Sequence, residues 1–546
     1  MYRNMLLLFL VLSLVCLPSL AQVVTQADST IEGTITMNVT LSASKKYLLK
    51  GFVNVNSPGS ITIPAGSIIF GEKSSKGTLI INRGAKIFAN GTSSSPVVFT
   101  SQFAPGQRGP GDWGGIIIAG NASLNVPAGT ATLEGGTGTV YGGGASANDA
   151  DNSGVLKYVR IEFPGIAFLP DNEINGLTMG GVGNGTVIEY IQVSYSGDDA
   201  FEWFGGTVNG KYLIAFKPVD DYYDTDFGFR GKLQWGMGIA DPNIADISGS
   251  NGFESDNDGT GTFNAPRTQP VFSNYTMIGP MPDTAATANA NHRRGAHLRR
   301  STLTSIYNSI FTGYRTGALL DGTNVVNAST SDSLQIRNSI WAGMRAANGI
   351  TTNSSSFDAE GWYITAAYGN RRYVQPADVM LTAPFNLTSP NPVPQTGSPA
   401  LSGASFTATK LQDAFFTATT YVGAFGTGAR WDAGWTNYDP QTTSYGTLVS
   451  VEQISEVIPQ SFELAQNYPN PFNPSTVIDY SIPTGTHVTL QVFDMLGREI
   501  RTLVDGYQAA GKYRTQFDTA ELPSGIYLYS LKAGAFHEVR KMLLTK

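Results

Sequence analysis

Cysteine, histidine and charged side chains are scarce in this sequence. It holds one cysteine, Cys16, and four histidines, which excludes zinc fingers, iron–sulfur sites and a disulfide framework. Charged residues make up 14%, against roughly 25% in an average soluble domain, which argues against a coiled coil or a helical bundle. Lysine and arginine total 35 against 42 acidic residues, for a net charge of −7. Because no basic stripe is visible, nucleic acid is excluded as an expected partner.

Glycine and hydrophobic residues are abundant. Glycine accounts for 62 of the 546 residues, hydrophobic residues for 41% and aromatic residues for 11%. Disordered chains are poor in aromatic residues, so this composition favours a folded protein. Many glycines with few charges are typical of an all-β protein that contains many tight turns.

The first 21 residues have the pattern of a secretory signal peptide. Arg3 precedes an apolar run from Met5 to Leu17, and small residues lead to a cleavage site after Ala21. A membrane anchor is the alternative, but the run of about 13 residues is shorter than the roughly 20 needed to span a bilayer. Cleavage removes Cys16, so we expect a mature chain without thiols. No later segment is apolar enough to span, and we expect the protein to lie outside the inner membrane.

Residues 461–546 contain three motifs in order: an Asn- and Pro-rich motif from Leu464 to Thr476, an alternating motif from Val488 to Gly497, and a motif from Leu522 to Ser530. They resemble the type A C-terminal sorting domain of the type IX secretion system of diderm bacteria. The residues that carry the resemblance are Asn470, Pro471, Phe472, Asn473, Pro474, Gly525, Tyr527, Lys541 and Lys546. The resemblance implies handling by the type IX secretion machinery and a final location on the cell surface or in the medium.

The alternation of apolar and polar residues in 488–492 is that of a half-buried strand, and prolines impose an extended entry to the domain. An immunoglobulin-like β-sandwich fits this pattern. Residues 442–460 contain few aromatic residues and are predicted to be a linker.

Short alternating segments recur through the preceding region. Residues 61–71 and 79–89 match at an offset of 18, and residues 157–165 and 189–197 match at an offset of 32. A third set begins with Asn274, Asn308 and Asn338. We expect these asparagines to occupy one coil position and to form a ladder in which each amide bonds the next coil.

Such recurrence, with glycine at the corners, predicts a solenoid whose coils must stack to bury their apolar faces. The region resembles the right-handed parallel β-helix of pectin-lyase-like proteins. We therefore predict an all-β chain, with a parallel β-helix over residues 22–441 followed by the small sandwich. A β-sandwich array or a propeller is the alternative, although no blade signature supports a propeller.

Acidic and aromatic residues are concentrated between residues 195 and 258. Residues 195–235 alone contain seven carboxylates and eleven aromatic residues. Calcium takes six to eight oxygen ligands, and closely spaced aspartates on loops supply them. The candidate calcium ligands are Asp220, Asp221, Asp224, Asp226, Glu254, Asp256 and Asp258. Residues 254–259 match the start of an acidic calcium loop, but Ala265 stands where the bidentate acid of an EF-hand would lie.

Glycoside cleavage is a second interpretation, because it needs a pair of carboxyl groups. Gly197-Asp198-Asp199 resembles the paired-aspartate motif of β-helix polygalacturonases, but the Gly-His-Gly and Arg-Ile-Lys motifs of that family are missing. The candidate catalytic residues are Asp198, Asp199 and Glu202, and a lyase would need Arg230 or Arg294 as base.

A third interpretation gives the aspartates a structural role, in which they cap turns by accepting bonds from backbone N–H groups. The basic stretch 292–300 is then an ion-pair partner for the carboxylates. His292 and His297 lie in this stretch, with no third metal ligand evident.

We expect an exported protein that binds a polysaccharide or another surface ligand, and calcium is its candidate cofactor. The candidate ligand-binding residues are Trp203, Tyr222, Tyr223 and Arg230. A polysaccharide lyase or hydrolase is the first alternative, and a purely structural surface protein is the second.

Overall fold

The computed structural model describes residues 22–169, 172–345, 349–354, 356–446, 448–455, 459–508, 510–518 and 522–546. The predicted signal peptide and its cleavage site at Ala21 lie outside these residues. The chain divides into two compact units, one of residues 27–445 and one that joins 446–546 to the segment before residue 27.

The larger unit is a parallel β-helix with three faces, as the sequence predicts. The first face consists of strands Thr78–Ile81, Gly115–Ala119, Leu177–Gly180, Phe201–Phe204, Tyr223–Asp226, Asn251–Ser255, Arg294–Leu298, Thr316–Leu320 and Ile350–Thr352. Each of these strands pairs in parallel with the equivalent strand of the next coil.

The second and third faces are often formed by one bent strand per coil. The bent strands are Gly154–Glu162, Val187–Ser194, Asn209–Phe216, Lys232–Ile239 and Val271–Ile278. Separate strands of the second face are Asn38–Thr40, Ser60–Pro64, Lys86–Asn90, Ser305–Tyr307 and Ile336–Arg337; those of the third are Ile68–Gly71, Val97–Ser101, Ile310–Thr312, Ile340–Ala342 and Arg371–Tyr373. The first coils contain Ser29–Ile35 and Lys46–Val55, which bend from the third face to the first.

A left-handed residue makes the bend between the second and third faces in every coil from residue 154 onward. This corner column is Tyr158, Tyr190, Tyr212, Trp235, Asn274, Asn308 and Asn338, with φ between 49° and 61°. The tyrosine rings stack on one another at 4.2 Å, and Tyr212 stacks on Trp235 at 4.9 Å. Asparagine tolerates this conformation better than most residues, which explains its recurrence.

Residues 405–445, which we call the strap, run back along the corner column. Asn308 Nδ2 donates to the Ser405 carbonyl at 3.1 Å, and Asn274 Nδ2 donates to Thr419 Oγ1 at 3.0 Å. The predicted amide ladder is therefore confirmed only in part. Asn308 Nδ2 also donates to Ser273 Oγ of the adjacent coil at 3.2 Å, but the amides of Asn274 and Asn308 bond the strap as well. At the far end of the strap, the Tyr445 hydroxyl bonds both oxygens of buried Glu162 at 2.8 and 2.9 Å.

The interior of the solenoid is filled by inward-facing aliphatic and aromatic side chains. Phe311 stacks on Trp341 at 4.0 Å, and Phe201 stacks on Tyr223 of the next coil at 5.3 Å. Outside the coils lie the hairpins Ala131–Thr132/Val140–Tyr141, Ala167–Leu169/Asn172–Glu173 and Leu381–Ala383/Asn391–Pro394, the α-helices Thr323–Thr330 and Ala359–Tyr363, and the 3-10 helices Gly144–Ser146, Ala366–Tyr368, Pro376–Val379, Pro399–Leu401 and Thr409–Leu411. No helix in the described ranges is both long and apolar enough to cross a bilayer.

The smaller unit has two antiparallel sheets, in keeping with the predicted immunoglobulin-like sandwich. One contains Gln22–Thr25, Leu448–Ser455, Gly511–Asp518, Ser475–Ile482 and Glu463–Leu464; the other contains Glu499–Gln508, Thr486–Phe493, Gly525–Ala533 and Phe536–Leu544. The strand Leu448–Ser455 falls inside the segment 442–460 that was predicted to be a linker. It is part of the smaller unit, because it pairs with Gly511–Asp518. The division between the units falls at residues 445 and 446.

The sequence motifs of this unit hold its last strand in place. Phe472 is 2% exposed in the core, and its N–H donates to the Leu543 carbonyl at 3.0 Å. Asn470 Oδ1 accepts from the Leu543 N–H, and the Tyr527 hydroxyl donates to the Pro523 carbonyl, both at 2.9 Å. Pro471, Asn473, Pro474, Lys541 and Lys546 are exposed, and Gly525 begins a strand.

Candidate functional site

The outward side chains of the first face form the candidate site. Phe201, Tyr223 and Phe253 occupy one inward column, and successive side chains of a strand point to opposite faces of the sheet. The next residue of each strand therefore points outward. The outward column is Thr178, Glu202, Asp224, Glu254 and His297. We call it the acidic column.

A second column precedes each strand and caps it. Asn175 Oδ1 accepts from the Asp199 N–H at 3.2 Å, and Asp199 Oδ1 accepts from the Asp221 N–H at 2.8 Å. Asp221 Oδ1 accepts from the N–H of Asn251 in the following coil. Because each side chain satisfies a backbone donor of the next coil, the predicted turn-capping role is confirmed for Asp199 and Asp221.

The two columns bring carboxylate oxygens together. One oxygen from each of Asp199, Glu202 and Asp224 lies within 4.8 Å of the other two, and Asp198, Asp199 and Asp220 form a second group within the same limit. Asp199 and Glu202 are buried. Asp224 Oδ1 is also buried and has no hydrogen-bond partner among the described residues. We call the first three residues the carboxylate cluster.

Burial and mutual repulsion change the protonation of this face. Burial raises the pKa of Asp199, Glu202 and Asp224 well above the usual range, and the negative charges of neighbouring carboxylates raise it further. Burial also raises the pKa of Asp220 to about 7 and that of Asp226 to about 8. These carboxyl groups retain their protons near neutral pH unless a bound cation displaces the protons.

The carboxylates further along the face are paired with basic residues. Arg299 Nε donates to both oxygens of Asp256 at 2.9 and 3.0 Å, and Arg300 Nη1 donates to Asp256 at 2.8 Å. Arg299 also pairs with Glu254. Burial alone would raise the pKa of Glu254, but the hydrogen bond from His297 and the charge of Arg299 hold it below the usual value. The predicted ion-pair role of the stretch 292–300 is confirmed for Arg299 and Arg300.

The predicted calcium loop at 254–259 is not formed. Glu254 and Asp256 are committed to arginine, and Asp258 caps its own loop by accepting from the Thr260 and Thr262 N–H groups at 3.0 and 3.1 Å. Their oxygens therefore do not converge on one point. Among the described residues, carboxylate oxygens converge instead where Asp220 and Asp224 meet Asp198, Asp199 and Glu202, and calcium binding there stays a prediction.

The predicted ligand-binding aromatic residues point into the solenoid. Trp203 and Tyr222 are 1% exposed and Tyr223 is 0% exposed, so their rings cannot stack on a glycan. Sequence alternation places Trp203 and Tyr223 on the inward side of their strands. Arg230 anchors the loop that follows the strand Gly115–Ala119, because its Nη2 donates to Asp149 at 2.8 Å and Ser123 at 2.7 Å.

Sequence reasoning missed Glu134, Asn175 and Asp321. Asn175 Nδ2 donates to Glu134 Oε1 at 3.4 Å and also bonds Glu202, so an inserted loop supplies a further acid to the face. His297 Nε2 lies 2.8 Å from Asp321 Oδ2. No local sequence signal marks Glu134, whereas the basic stretch around His297 could have drawn attention to a carboxylate partner.

A polar cleft opens beside the acidic column. Its volume is about 490 Å³, and its walls include Arg299, Arg300, Ser301, Asp321, Thr323 and Asn324. One wall is the first turn of the helix Thr323–Thr330. Arg294, which was nominated as a lyase base, instead occupies the capping column beside Asn251.

Comparison with known proteins gives two family matches. The model of the pectate-lyase-like β-helix domain matches residues 33–372, and that of the secretion system C-terminal sorting domain matches residues 466–545. No curated protein matches the chain.

Among solved structures, two tailspike proteins are similar. The Dettilon tailspike protein is 9% identical, with 88% of this chain and 87% of that chain covered and a TM-score of 0.23. The enzymatically active domain of bacteriophage CBA120 tailspike protein 4 is 10% identical, with 91% and 64% covered and a TM-score of 0.20. Likenesses at this level carry no argument about function.

Proposed function

Because the chain belongs to the pectate-lyase-like β-helix proteins and ends in a secretion system C-terminal sorting domain, we propose that it is an exported glycan-binding protein that holds a divalent cation in its carboxylate cluster. The sorting domain indicates export by the type IX machinery and a location on the cell surface or in the medium. Glycan binding and the cation are the parts of this proposal that need an experiment.

The carboxylate cluster is the observation that carries the proposal. Three acidic side chains from two adjacent coils, Asp199 and Glu202 on one and Asp224 on the next, place an oxygen each within 4.8 Å of the others. Ionised carboxylates at this separation repel one another strongly when they are buried. Calcium takes oxygen ligands at 2.3–2.6 Å, and Asp224 Oδ1 is buried without a partner among the described residues. A calcium ion would satisfy this oxygen and remove the repulsion.

Glycan binding is supported by the surface beside the cluster. Asp224 and Glu254 of the acidic column are partly exposed and lie in register on strands about 4.8 Å apart. The adjacent cleft is lined by guanidinium, hydroxyl, amide and carboxylate groups. Sugars carry many hydroxyl groups, each of which donates and accepts hydrogen bonds.

Thermal unfolding of the full chain in calcium and then in excess chelator tests the cation. We expect calcium at a hundredfold excess over its Kd to stabilise the protein by about 2.7 kcal/mol. Asp224→Asn should abolish the shift because it removes a charged ligand. Glu32→Gln is the control, since Glu32 is 63% exposed and forms a long ion pair with Lys50 at 3.8 Å.

A calcium shift that persists in Asp224→Asn would place the ion elsewhere, and no shift in the wild type would contradict the cation. A panel of immobilised polysaccharides tests the other half of the proposal. Retention of at least one polysaccharide is expected, and retention of none would contradict glycan binding.

Carbohydrate cleavage is a second candidate function, and one observation favours it. Asp224 and Glu254 are in register on adjacent strands, and their pKa values are displaced in opposite directions. Such a pair offers a protonated acid beside an ionised base. Asp198 and Asp199 fit this role less well, because Asp199 caps Asp221.

Release of reducing ends or of unsaturated products from bound polysaccharides distinguishes cleavage from binding. A cleaving enzyme would release product, and Glu254→Gln would reduce the rate at least a hundredfold while the polysaccharide is still retained. Retention without product would favour a binding protein.

A further inference from the structure

The cleft beside the acidic column is the right size for a sugar unit. Its volume of about 490 Å³ lies within the range of roughly 300–1,000 Å³ for small-molecule sites. The charges around it determine which sugars it can accept, and two observations bear on them.

The positive charges of the two arginines in the cleft are already balanced by ion pairs within the protein. Arg299 is bonded to both oxygens of Asp256 and pairs with Glu254, and Arg300 is bonded to Asp256. Each guanidinium therefore already has a carboxylate partner. An anionic ligand would have to compete with these internal pairs, which are partly shielded from water.

One carboxylate lines the cleft and is partly exposed. Asp321 is 28% exposed, its Oδ2 lies 2.8 Å from His297 Nε2, and its Oδ1 accepts from Asn353 Nδ2. Each carboxylate oxygen has a second lone pair, so the exposed part of the group can still accept from a ligand.

The remaining polar groups suit hydroxyls. Asn324 Nδ2 donates to Ser301 Oγ at 2.9 Å, and Thr323 lies at the start of the helix. Amide and hydroxyl groups can both donate to and accept from a sugar hydroxyl. Asp321 can accept from such a hydroxyl, whereas it would repel a uronate carboxylate.

We propose that the cleft is a subsite for uncharged, hydroxyl-rich sugars and that it discriminates against uronates. This inference rests on the proposed glycan binding and names the class of glycan. It differs from what a pectate-lyase-like fold alone would suggest, because it follows from the neutralised arginines and from Asp321.

Calorimetric titration of the full chain tests the proposal. Neutral probes are gluco-, manno- and xylo-oligosaccharides, and acidic probes are oligogalacturonate and oligoguluronate of the same length, each in calcium and in chelator. We expect a neutral probe to bind more tightly than every acidic one. Asp321→Asn should weaken that binding at least tenfold, because a hydrogen bond to a charged acceptor is lost.

Asn324→Ala and Asn327→Ala form a matched pair on one helix. Asn324 lines the cleft, whereas Asn327 is exposed one turn further along. Asn324→Ala should weaken neutral binding severalfold, and Asn327→Ala should leave it unchanged. Thermal unfolding of each variant shows whether it is folded.

The inference is overturned if an acidic probe binds more tightly than the neutral ones, or if neutral binding is unaffected by both Asp321→Asn and Asn324→Ala. In either case glycan binding itself stands. If no probe and no polysaccharide binds, the proposed function fails and the inference fails with it.

Discussion

Individual carboxyl groups of the acidic face have different tasks, although they are chemically alike. Asp199 and Asp221 cap backbone N–H groups of the next coil, and Asp256 forms ion pairs with two arginines. Asp224 has a buried oxygen without a partner among the described residues. The position of each residue relative to the coil corner decides its task, and this position depends on register.

The raised pKa values predict a stability that depends on pH when divalent cations are removed. In the unfolded chain Asp220 and Asp226 ionise near pH 4, but in the fold they hold protons up to about pH 7 and about pH 8. The folded state binds more protons between these limits. This contribution is therefore fully present below about pH 4 and is lost as the pH rises to about 8.

Urea unfolding in chelator between pH 5 and pH 8.5 measures this effect. We expect the free energy of unfolding to fall by a few kcal/mol, on the order of 1.4 kcal/mol per unit of pKa displacement across the interval. The Asp220→Asn/Asp226→Asn double variant should show a flatter profile. A wild-type profile that rises over this interval would contradict the assignment.

At the residue scale, the sequence predicted where acidic chemistry is concentrated but not how it is organised. Most carboxylates of the dense segment between 198 and 258 lie together along the first face, in the acidic and capping columns. The separation into capping, ion-paired and converging groups could not be predicted, because Asp199 meets Asp224 only through the stacking of two coils. Glu134 comes from an inserted loop whose path has no local sequence signal.

Among the structural elements, the corner column determines how each coil turns. Its residues adopt the left-handed conformation, which costs most residues roughly 1–2 kcal/mol. The aromatic members stack on one another, and the asparagines bond the strap. The same column of residues therefore makes the bend in each coil and binds the strap that covers one edge of the solenoid.

Asn308→Ala is predicted to destabilise the solenoid by about 3 kcal/mol. Asn308 is 0% exposed, accepts from the Ser405 N–H at 2.9 Å and donates to the Ser405 carbonyl. Alanine leaves both groups of Ser405 unpaired and tolerates the left-handed backbone less well.

Chemical denaturation measures this loss, and Asn338→Ala is the matched control. Asn338 has the same φ class but is only half-buried, and it donates to the Gly403 carbonyl at 3.2 Å. We expect a loss of about 1 kcal/mol for the control. Equal losses in the two variants would show that backbone conformation, and not the strap, determines the effect.

The repeats were predictable only where their sequences were strongly similar. The offset of 32 is confirmed, since Lys157 lies beside Glu189 in the sheet. The offset of 18 is wrong, because Ile61 stacks on Ile87. Both segments alternate apolar residues around glycine, and such a pattern matches more than one face of the same solenoid.

For the whole molecule, the two units have separate hydrophobic cores. Truncation after Tyr445 is therefore predicted to leave the unfolding temperature of the β-helix within a few degrees of its value in the full chain. Differential scanning calorimetry should show loss of the smaller transition only. Loss of the β-helix transition would show that the units fold as one.

The sequence predicted both architectures, because the solenoid pattern and the sorting motifs are local. It did not predict the strand Leu448–Ser455 inside the expected linker. That strand forms by pairing with Gly511–Asp518, which is distant in sequence.

The strap also affects the order in which parts of the β-helix fold. Arg108 is bonded to Gln441, a separation of 333 residues, and Glu162 is bonded to Tyr445 across 283 residues. Contacts between such distant residues form slowly, since a long loop must close before they contribute. The first coils can stack on their neighbours without the strap, but their outer edge stays open until residues 405–445 pack against it. The edge under the strap is therefore the last part of the β-helix to be completed.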